Sequence, residues 1–122
     1  MGFHMLVTDA DRNAYLQNVN QALKNGAPFM LYRESVWEGS PDAEIKDLDE
    51  WIKLTGEDYT TPALCQVEGK EVYVPLVPAR ARSHAQYIDE LQSASFIVDR
   101  IIDLESSREI AQPNIHILAI KR

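Results

Sequence analysis

"IHILAIK", residues 115–121, decides the fold that the rest of the chain must build. The run is apolar at nearly every position rather than at alternate ones, and Pro113 and Asn114 separate it from the preceding chain. Strands that read as continuous apolar runs are buried on both faces in the interior of a sheet. The sequence therefore predicts an interior strand here, which requires other strands beside it.

The apolar run "FMLY", residues 29–32, is a second strand candidate. It is short and bounded by turn residues, which indicates a strand buried on both faces, and the polar residues 33–35 that follow are expected to leave the core. Residues 95–104, "SFIVDRIIDL", fit both a helical stripe and a strand rich in β-branched side chains. We expect a break near Ser95, then a short strand, and a last small helix around residues 106–111.

A hairpin is predicted between these regions. The runs "ALCQV" (63–67) and "KEVYVPL" (70–76) are joined by Glu68-Gly69, and glycine adopts the positive φ that a two-residue hairpin turn requires. Pro75 and Pro78 lack a backbone N–H, which restricts the second strand to a sheet edge or to a strand that ends there. The chain is therefore expected to leave the sheet directly after this strand.

Two helices are marked by their N-terminal caps. Thr8 precedes apolar residues at helical spacing, which predicts a helix over about residues 9–24. Ser83 is followed three positions later by Gln86, the spacing of a capping box, and an apolar face continues from there to Ala94. These signals place one helix before the first strand and another after the hairpin.

The stretch "GSPDAEIKDLDEWIKLTG", residues 39–56, carries signals for both ends of a further helix. Ser40 is a suitable cap, Pro41 suits the first helical position, and Gly56 suits the position after the last turn. Trp51 lies beside an apolar stripe and is expected in the core. The stripe consists of Ile45, Leu48 and Ile52.

The order of elements, α-β-α-β-β-α-(β or α)-β, predicts the fold class. It is a single α+β domain over residues 1–122, with a mixed or antiparallel sheet of about four to five strands packed by about three to four helices. His4-Met5 matches a common cloning junction, so residues 1–4 are set aside as a candidate cloning remnant. His4 is therefore given no functional role.

Composition points away from several classes of protein. Hydrophobic residues make up 45% and charged residues 25%, as in globular domains and unlike disordered or fibrous chains. Apolar runs are far shorter than the ~20 residues that cross a bilayer, and the N-terminus lacks a secretory signal, so we expect a cytoplasmic protein without a membrane role. Its one cysteine, Cys65, allows no internal disulfide and is expected to be a small buried hydrophobe.

The segment "VPARARSHAQ", residues 77–86, concentrates basic groups in an acidic chain. Arg80, Arg82 and His84 lie where a helix is predicted to begin, and helix N-termini attract anions. Guanidinium groups bind phosphate or carboxylate through two parallel hydrogen bonds. These residues therefore favour a site for a small phosphorylated or other anionic ligand, in either a binding protein or an enzyme. The alternative is that these groups pair with carboxylates of the chain itself.

Residues 42–58 concentrate negative charge. Seven carboxylates and two lysines give this stretch a charge of −5, most of the formal net charge of −7. Such a surface attracts basic proteins and repels the phosphates of nucleic acids, so direct nucleic-acid binding is not expected. The alternative is a solvated helix face that keeps the protein soluble.

The acidic stretch makes a small binding protein the favoured interpretation of function. The expected partner is a basic protein, and inhibitors or immunity proteins of nucleic-acid-handling enzymes or toxins are the analogous class. No phosphate-binding loop, nucleophile elbow or metal-ligand spacing is recognised, so no catalytic residue, metal or cofactor is assigned. The residues expected to bind the partner are Asp42, Glu44, Asp47, Asp49 and Glu50, with Trp37 and Tyr59 as flanking aromatic contacts. The rival interpretation is the anionic ligand at Arg80, Arg82 and His84.

Overall fold

Strand β5 (Asn114–Lys121) lies at the centre of the main sheet, as its apolar sequence predicts. In the computed structural model, which describes residues 3–104 and 114–122, it pairs antiparallel with β1 (Pro28–Ser35) on one side and β4 (Phe96–Leu104) on the other. The described chain is an α+β domain in which the paired strands of both sheets are antiparallel.

Three helices and a hairpin complete the described part of the chain. They are α1 (Asp9–Ala22), α2 (Leu48–Thr55), α3 (His84–Ser93), and the strands β2 (Ala63–Val67) and β3 (Lys70–Val74), with a short 3-10 turn over Phe3–Met5. The helix expected around residues 106–111 lies outside the described residues. Among the described helices, none has the length and apolar character needed to span a bilayer.

One face of the main sheet forms the core. Leu31, Phe96 and Ile117 come from the three strands and are buried against Leu16 of α1 and Tyr87 of α3. Burying an apolar side chain of this size contributes about 1.5–3 kcal/mol, so this layer is the main source of stability. Phe3, within the stretch set aside as a candidate cloning remnant, is also buried in this core.

The opposite face of the sheet carries apolar side chains that are largely exposed. Met30 and Tyr32 on β1 and Ile97 and Ile102 on β4 are between 40% and 60% exposed. The prediction that residues 29–32 are buried on both faces is therefore wrong. The two helices that pack on the sheet cover the face that carries the core, and an apolar run alone does not reveal which face is covered.

A β-bulge in β1 directs a polar residue into the core. The register shifts between Leu31, which lies opposite Ile117, and Glu34, which lies opposite Ile115. Because side chains alternate along a strand, the one extra residue puts Glu34 on the same face as Leu31. Glu34 is 2% exposed there, which contradicts the expectation that residues 33–35 leave the core.

The capping signals of α1 and α3 are confirmed. The Thr8 hydroxyl accepts a hydrogen bond from the backbone N–H of Asp11 at 3.2 Å, and Ser83 and Gln86 form both halves of a capping box. Ser95 follows α3 with a φ of 66°, and β4 begins at the next residue. The break near Ser95 and the strand after it are thus confirmed, and the helical alternative for residues 95–104 is excluded.

Helix α2 is shorter at its N-terminus than predicted. Its cap is Asp47 rather than Ser40, whereas Gly56 ends it as expected, in the left-handed conformation with a φ of 72°. Ile45 precedes the helix and does not belong to a helical stripe. It is buried with Trp51 in a second, smaller core.

The loop before α2 has a physical reason to stay non-helical. Its carbonyl groups accept hydrogen bonds from distant donors: the Gln86 side chain bonds Ser40, the Arg80 guanidinium bonds Ala43, and an α1 backbone N–H bonds Ile45. A helix would use the same carbonyl groups internally. Tertiary hydrogen bonds therefore keep this segment non-helical despite its local helix signals.

The predicted hairpin is confirmed with its turn. Glu68 and Gly69 both have positive φ, 51° and 77°, as a two-residue turn that matches the strand twist requires. Strands β2 and β3 form a sheet of their own, in which Leu64 lies opposite Tyr73. No residue of either strand is buried, and Cys65 is half-buried.

Candidate functional site

Arg80 is an internal tie between three parts of the fold. Its side chain is fully buried, it pairs with Asp9 at the start of α1, and it donates to the carbonyl oxygens of Val7 at 2.9 Å and Ala43 at 3.4 Å. Its guanidinium carbon lies 5.5 Å from the ring centre of Trp51 on α2. The carboxylate and the carbonyl groups therefore take up most of its donors.

Arg82 is paired inside the protein as well. It is 8% exposed and contacts Glu90 on α3, whose two oxygens also accept hydrogen bonds from Nε of Arg12, each at 3.1 Å. Arg12 in turn lies over the Phe3 ring at 3.9 Å. One carboxylate thus serves two buried guanidinium groups, so removal of Glu90 would leave two buried positive charges without this partner.

His84 faces outward with two carboxylates of its own. Nδ1 bonds the Glu38 carboxylate and Nε2 lies 3.3 Å from Asp103, and the hydrogen bond to Glu38 is the main reason that its pKa is raised. The backbone N–H of His84 also donates to Glu38 at 3.2 Å. The anion at the N-terminus of α3 is therefore a side chain of the chain itself, as the alternative interpretation expected.

Two of the five carboxylates predicted to bind a partner have structural roles. Asp47 caps α2 by accepting a hydrogen bond from the backbone N–H of Glu50 at 2.9 Å, and the Glu50 side chain accepts one from the backbone N–H of Lys46 at 2.8 Å. Carboxylates at a helix N-terminus satisfy unpaired N–H groups and interact favourably with the helix dipole. Both residues therefore stabilise the N-terminal end of the helix.

The other three predicted carboxylates are free for a partner. Asp42, Glu44 and Asp49 are exposed, and none of them forms a hydrogen bond or an ion pair with another described residue. The arginines that could have neutralised them are buried and paired with Asp9 and Glu90 instead. Their negative charge is consequently available at the surface.

Two of these carboxylates border a groove of about 280 Å³ between α1, α3 and the loop before α2. This acidic groove is lined by Asp9, Asp42, Glu44, Asp89 and Glu90, with Arg12 and Arg82 among its other lining residues. Five carboxylates thus lie around two guanidinium groups that already share Glu90. The groove extends the negative surface of the acidic stretch onto two further helices.

A second cavity, of about 430 Å³, lies between α2 and the segments that follow β1 and β3. This aromatic pocket is lined by Val36, Trp37, Trp51, Tyr59, Ala79 and Arg80 among other residues. The rings of Trp37 and Trp51 meet edge to face, with 6.4 Å between their centres. Nε1 of Trp51 donates to the Tyr59 hydroxyl at 3.0 Å, which donates to the Ala79 carbonyl at 3.4 Å.

The structure regroups the predicted site residues. Trp37 and Tyr59 join Arg80 in the aromatic pocket, whereas Asp42 and Glu44 lie on the acidic groove. The three basic groups do not converge on one ligand position, because Arg80, Arg82 and His84 contact different carboxylates. His4, for which the sequence analysis predicts no functional role, lines the aromatic pocket. No local sequence signal relates residues 36–37 to residues 79–81, so the pocket itself is not visible in the sequence.

His116 and possible metal ligands add no further site. His116 lies in β5 and stacks on Tyr32, with 4.3 Å between the ring centres. Among the described residues, no group of three or more His, Cys, Asp or Glu side chains is placed to hold a metal ion.

No family model matches the chain, and no curated protein matches its sequence. The contacts and charges of the two cavities are therefore the basis for a functional proposal.

Proposed function

We propose that the protein acts by binding a basic protein partner through the acidic groove and the neighbouring acidic stretch. The observation that supports this is that Asp42 and Glu44 border a groove with Asp89 and form no ion pair with a described basic side chain. Lysine and arginine side chains of a partner would complete charge-assisted hydrogen bonds there.

Internal pairing explains why this surface stays negative. Burial of Arg12, Arg80 and Arg82 removes three of the chain's 12 basic residues from the surface. Exposed carboxylates that form no ion pair, and that outnumber the basic groups around them, generate a potential that accelerates encounter with a basic protein. The same potential repels nucleic acids, so the partner itself, rather than its nucleic-acid substrate, is the target of binding.

The class of protein that this surface fits best is an inhibitor or immunity protein of a nucleic-acid-handling enzyme or toxin, acting in the cytoplasm. Carboxylates of such a protein occupy positions where the phosphates of the substrate would lie. Trp37, which is 40% exposed, and Tyr59 are proposed as flanking contacts, since aromatic residues concentrate binding energy at interfaces.

A charge-reversal experiment tests this proposal. The double variant Asp42→Lys/Glu44→Lys changes side chains that have no structural contact, whereas reversal of Asp47 or Glu50 would also damage α2. Partners are captured on the immobilised wild type, identified by mass spectrometry, and their association rates measured. We expect a basic protein whose association rate constant falls about tenfold with the double variant.

Matched controls separate local charge from net charge. Glu71→Lys on the exposed hairpin makes the same chemical change as Glu44→Lys, at a site outside the groove, and is expected to retain the partner. Association of the wild type should slow steeply between about 0.01 M and 0.15 M salt, as the Debye length shortens from about 30 Å to about 8 Å. Capture of neutral or acidic proteins alone, or equal rates for Glu44→Lys and Glu71→Lys, would contradict the proposal.

A further inference from the structure

We propose that the aromatic pocket binds a quaternary ammonium group, such as the trimethylammonium group of a choline-like ligand or of a methylated lysine side chain. The proposal goes beyond the binding of a basic partner at the acidic groove. Trp37 and Tyr59 belong to both proposals, but neither Asp42 nor Glu44 lines the pocket. Small probes therefore test the pocket separately, and their failure to bind would leave the groove proposal standing.

Aromatic rings form a large part of the pocket wall. Trp37 is 40% exposed and Tyr59 is half-buried, so both offer ring surface to a ligand. Trp51 is 2% exposed and contacts the Arg80 guanidinium and Trp37 instead. The faces of Trp and Tyr rings attract cations, quaternary ammonium groups among them. The volume of about 430 Å³ also lies within the range of about 300–1,000 Å³ that small-molecule sites occupy.

The charges on the pocket wall favour a cation over an anion. Glu57 supplies the only carboxylate among the described lining residues; it is exposed, and its side chain forms no hydrogen bond or ion pair with a described residue. The Arg80 guanidinium also belongs to the wall, but it is fully buried and paired with Asp9. His4 adds no positive charge near pH 7, because burial lowers its pKa. The Glu57 carboxylate therefore leaves the wall with an uncompensated negative charge.

The hydroxyl groups of the wall favour a quaternary over a primary ammonium group. A primary ammonium carries three N–H donors that require acceptors, whereas a quaternary ammonium carries none. The Thr55 hydroxyl already donates to the Trp51 carbonyl at 2.9 Å, and the Tyr59 hydroxyl donates to the Ala79 carbonyl at 3.4 Å. Because N–H donors that lose water without gaining an acceptor weaken binding, a group without donors fits this wall better.

The two tryptophans allow a direct test on the intact protein. The chain contains 2 tryptophans, and both line the pocket, so the two indole N–H signals in a proton–nitrogen NMR spectrum report on this site. Choline is the first probe, and its neutral analogue with a tert-butyl group in place of trimethylammonium keeps the shape and removes the charge. We expect choline to shift the Trp37 signal with a dissociation constant on the order of 1 mM, and the analogue to bind at least about fivefold more weakly.

Two further probes define the class of ligand. Ethanolamine has the hydroxyethyl chain of choline with a primary ammonium group, and is expected to bind at least about fivefold more weakly than choline. An acetylated amide of trimethyllysine carries the trimethylammonium group on a lysine side chain. Tighter binding of this lysine derivative than of choline would identify a methylated protein as the source of the ligand, and the reverse order would identify a small metabolite.

A charge-removing variant tests the role of Glu57. Glu57→Gln keeps the shape of a side chain that forms no described hydrogen bond or ion pair, and Glu71→Gln makes the same change on the exposed hairpin, outside the pocket. Both variants should therefore fold. Glu57→Gln is expected to weaken choline binding about threefold, and Glu71→Gln to leave it unchanged.

A pair of variants at Trp37 tests the ring. Trp37→Phe keeps an aromatic ring in the wall, whereas Trp37→Leu keeps only apolar volume, and the Trp51 indole signal reports binding in both. We expect Trp37→Leu to bind choline at least about fivefold more weakly than Trp37→Phe.

Each of several results would overturn the proposal. One is the absence of any indole shift at about ten times the expected dissociation constant of choline. Others are binding of the tert-butyl analogue or of ethanolamine as tight as that of choline. Equal choline affinities of Glu57→Gln and Glu71→Gln, or of Trp37→Phe and Trp37→Leu, would also contradict it.

Discussion

Glu34 is the buried acid whose environment departs most from that of a surface carboxyl. The bulge in β1 places it in the core, where the charges of Arg12 and Glu90 influence its pKa. Burial raises the pKa of Glu34 from 4.5 to about 7, Arg12 opposes this rise, and Glu90 adds to it. Glu34 is therefore protonated in the folded protein at mildly acidic pH.

The variant Glu34→Gln tests this state. A group with a raised pKa stabilises the fold fully below pH 4.5, and this contribution is lost as the pH rises through about 7. Glutamine mimics the protonated acid at every pH, so the free energy of unfolding of the variant should exceed that of the wild type by up to about 3 kcal/mol near pH 8 and match it near pH 4.

Urea denaturation at a series of pH values measures the difference, with Glu71→Gln on the exposed hairpin as the matched control. The control should follow the wild type throughout. If the free energy of unfolding of Glu34→Gln differed from that of the wild type by the same amount at every pH from 4 to 8, a raised pKa at this position would be refuted.

Helix α2 shows how one carboxylate can be structural and its neighbour free. Asp47 caps the helix, while the side chain of Asp49, two positions later, forms no hydrogen bond or ion pair with a described residue. We expect Asp47→Ala to lower the free energy of unfolding by about 1 kcal/mol, and Asp49→Ala by no more than a few tenths, the scale of a helix-dipole interaction.

Thermal and urea denaturation of the two alanine variants measure this contrast. Because both substitutions remove the same side chain, their difference isolates the cap from the change in net charge. Equal losses would show that Asp47 contributes to stability only through charge. If partner binding is also measured, Asp49→Ala should weaken it although the free energy of unfolding changes little.

Elements with strong local signals were predictable, and those shaped by distant contacts were not. The hairpin turn at Glu68-Gly69 and the cap at Ser83 depend on residues that are adjacent in sequence. The start of α2 depends on donors from α1, Arg80 and Gln86, which occupy carbonyl groups that a longer helix would need. Local signals at Ser40 therefore misled the prediction.

The bulges in β1 and β4 are two features that the sequence pattern does not reveal. In β4 the register shifts between Val98 and Arg100, so the apolar residues before and after this point lie on consistent faces although the sequence does not alternate strictly. The same device in β1 buries Glu34. A single extra residue is invisible to a period-two pattern, which is why the sequence left residues 95–104 ambiguous.

At the scale of the whole molecule, exposure of the acidic side chains followed from the sequence, but the partners of the basic ones did not. Asp9 and Arg80 are separated by 71 positions along the chain, and their pairing requires the folded arrangement of α1 and the segment before α3. The aromatic pocket likewise joins segments that are remote in sequence. The sequence identified several residues of both cavities without showing which of them meet.

The hairpin's isolation from the cores implies that stability is uneven across the molecule. Two-stranded ribbons are marginally stable by themselves, and regions with little burial open at lower free energy than central strands. In native-state hydrogen exchange, amides paired between β2 and β3 should exchange through local opening, whereas those of β5 should exchange only on global unfolding. Equal protection in the two sheets would contradict this expectation. Local unfolding of this hairpin would expose its backbone N–H and C=O groups while the helices and the central strand remain folded.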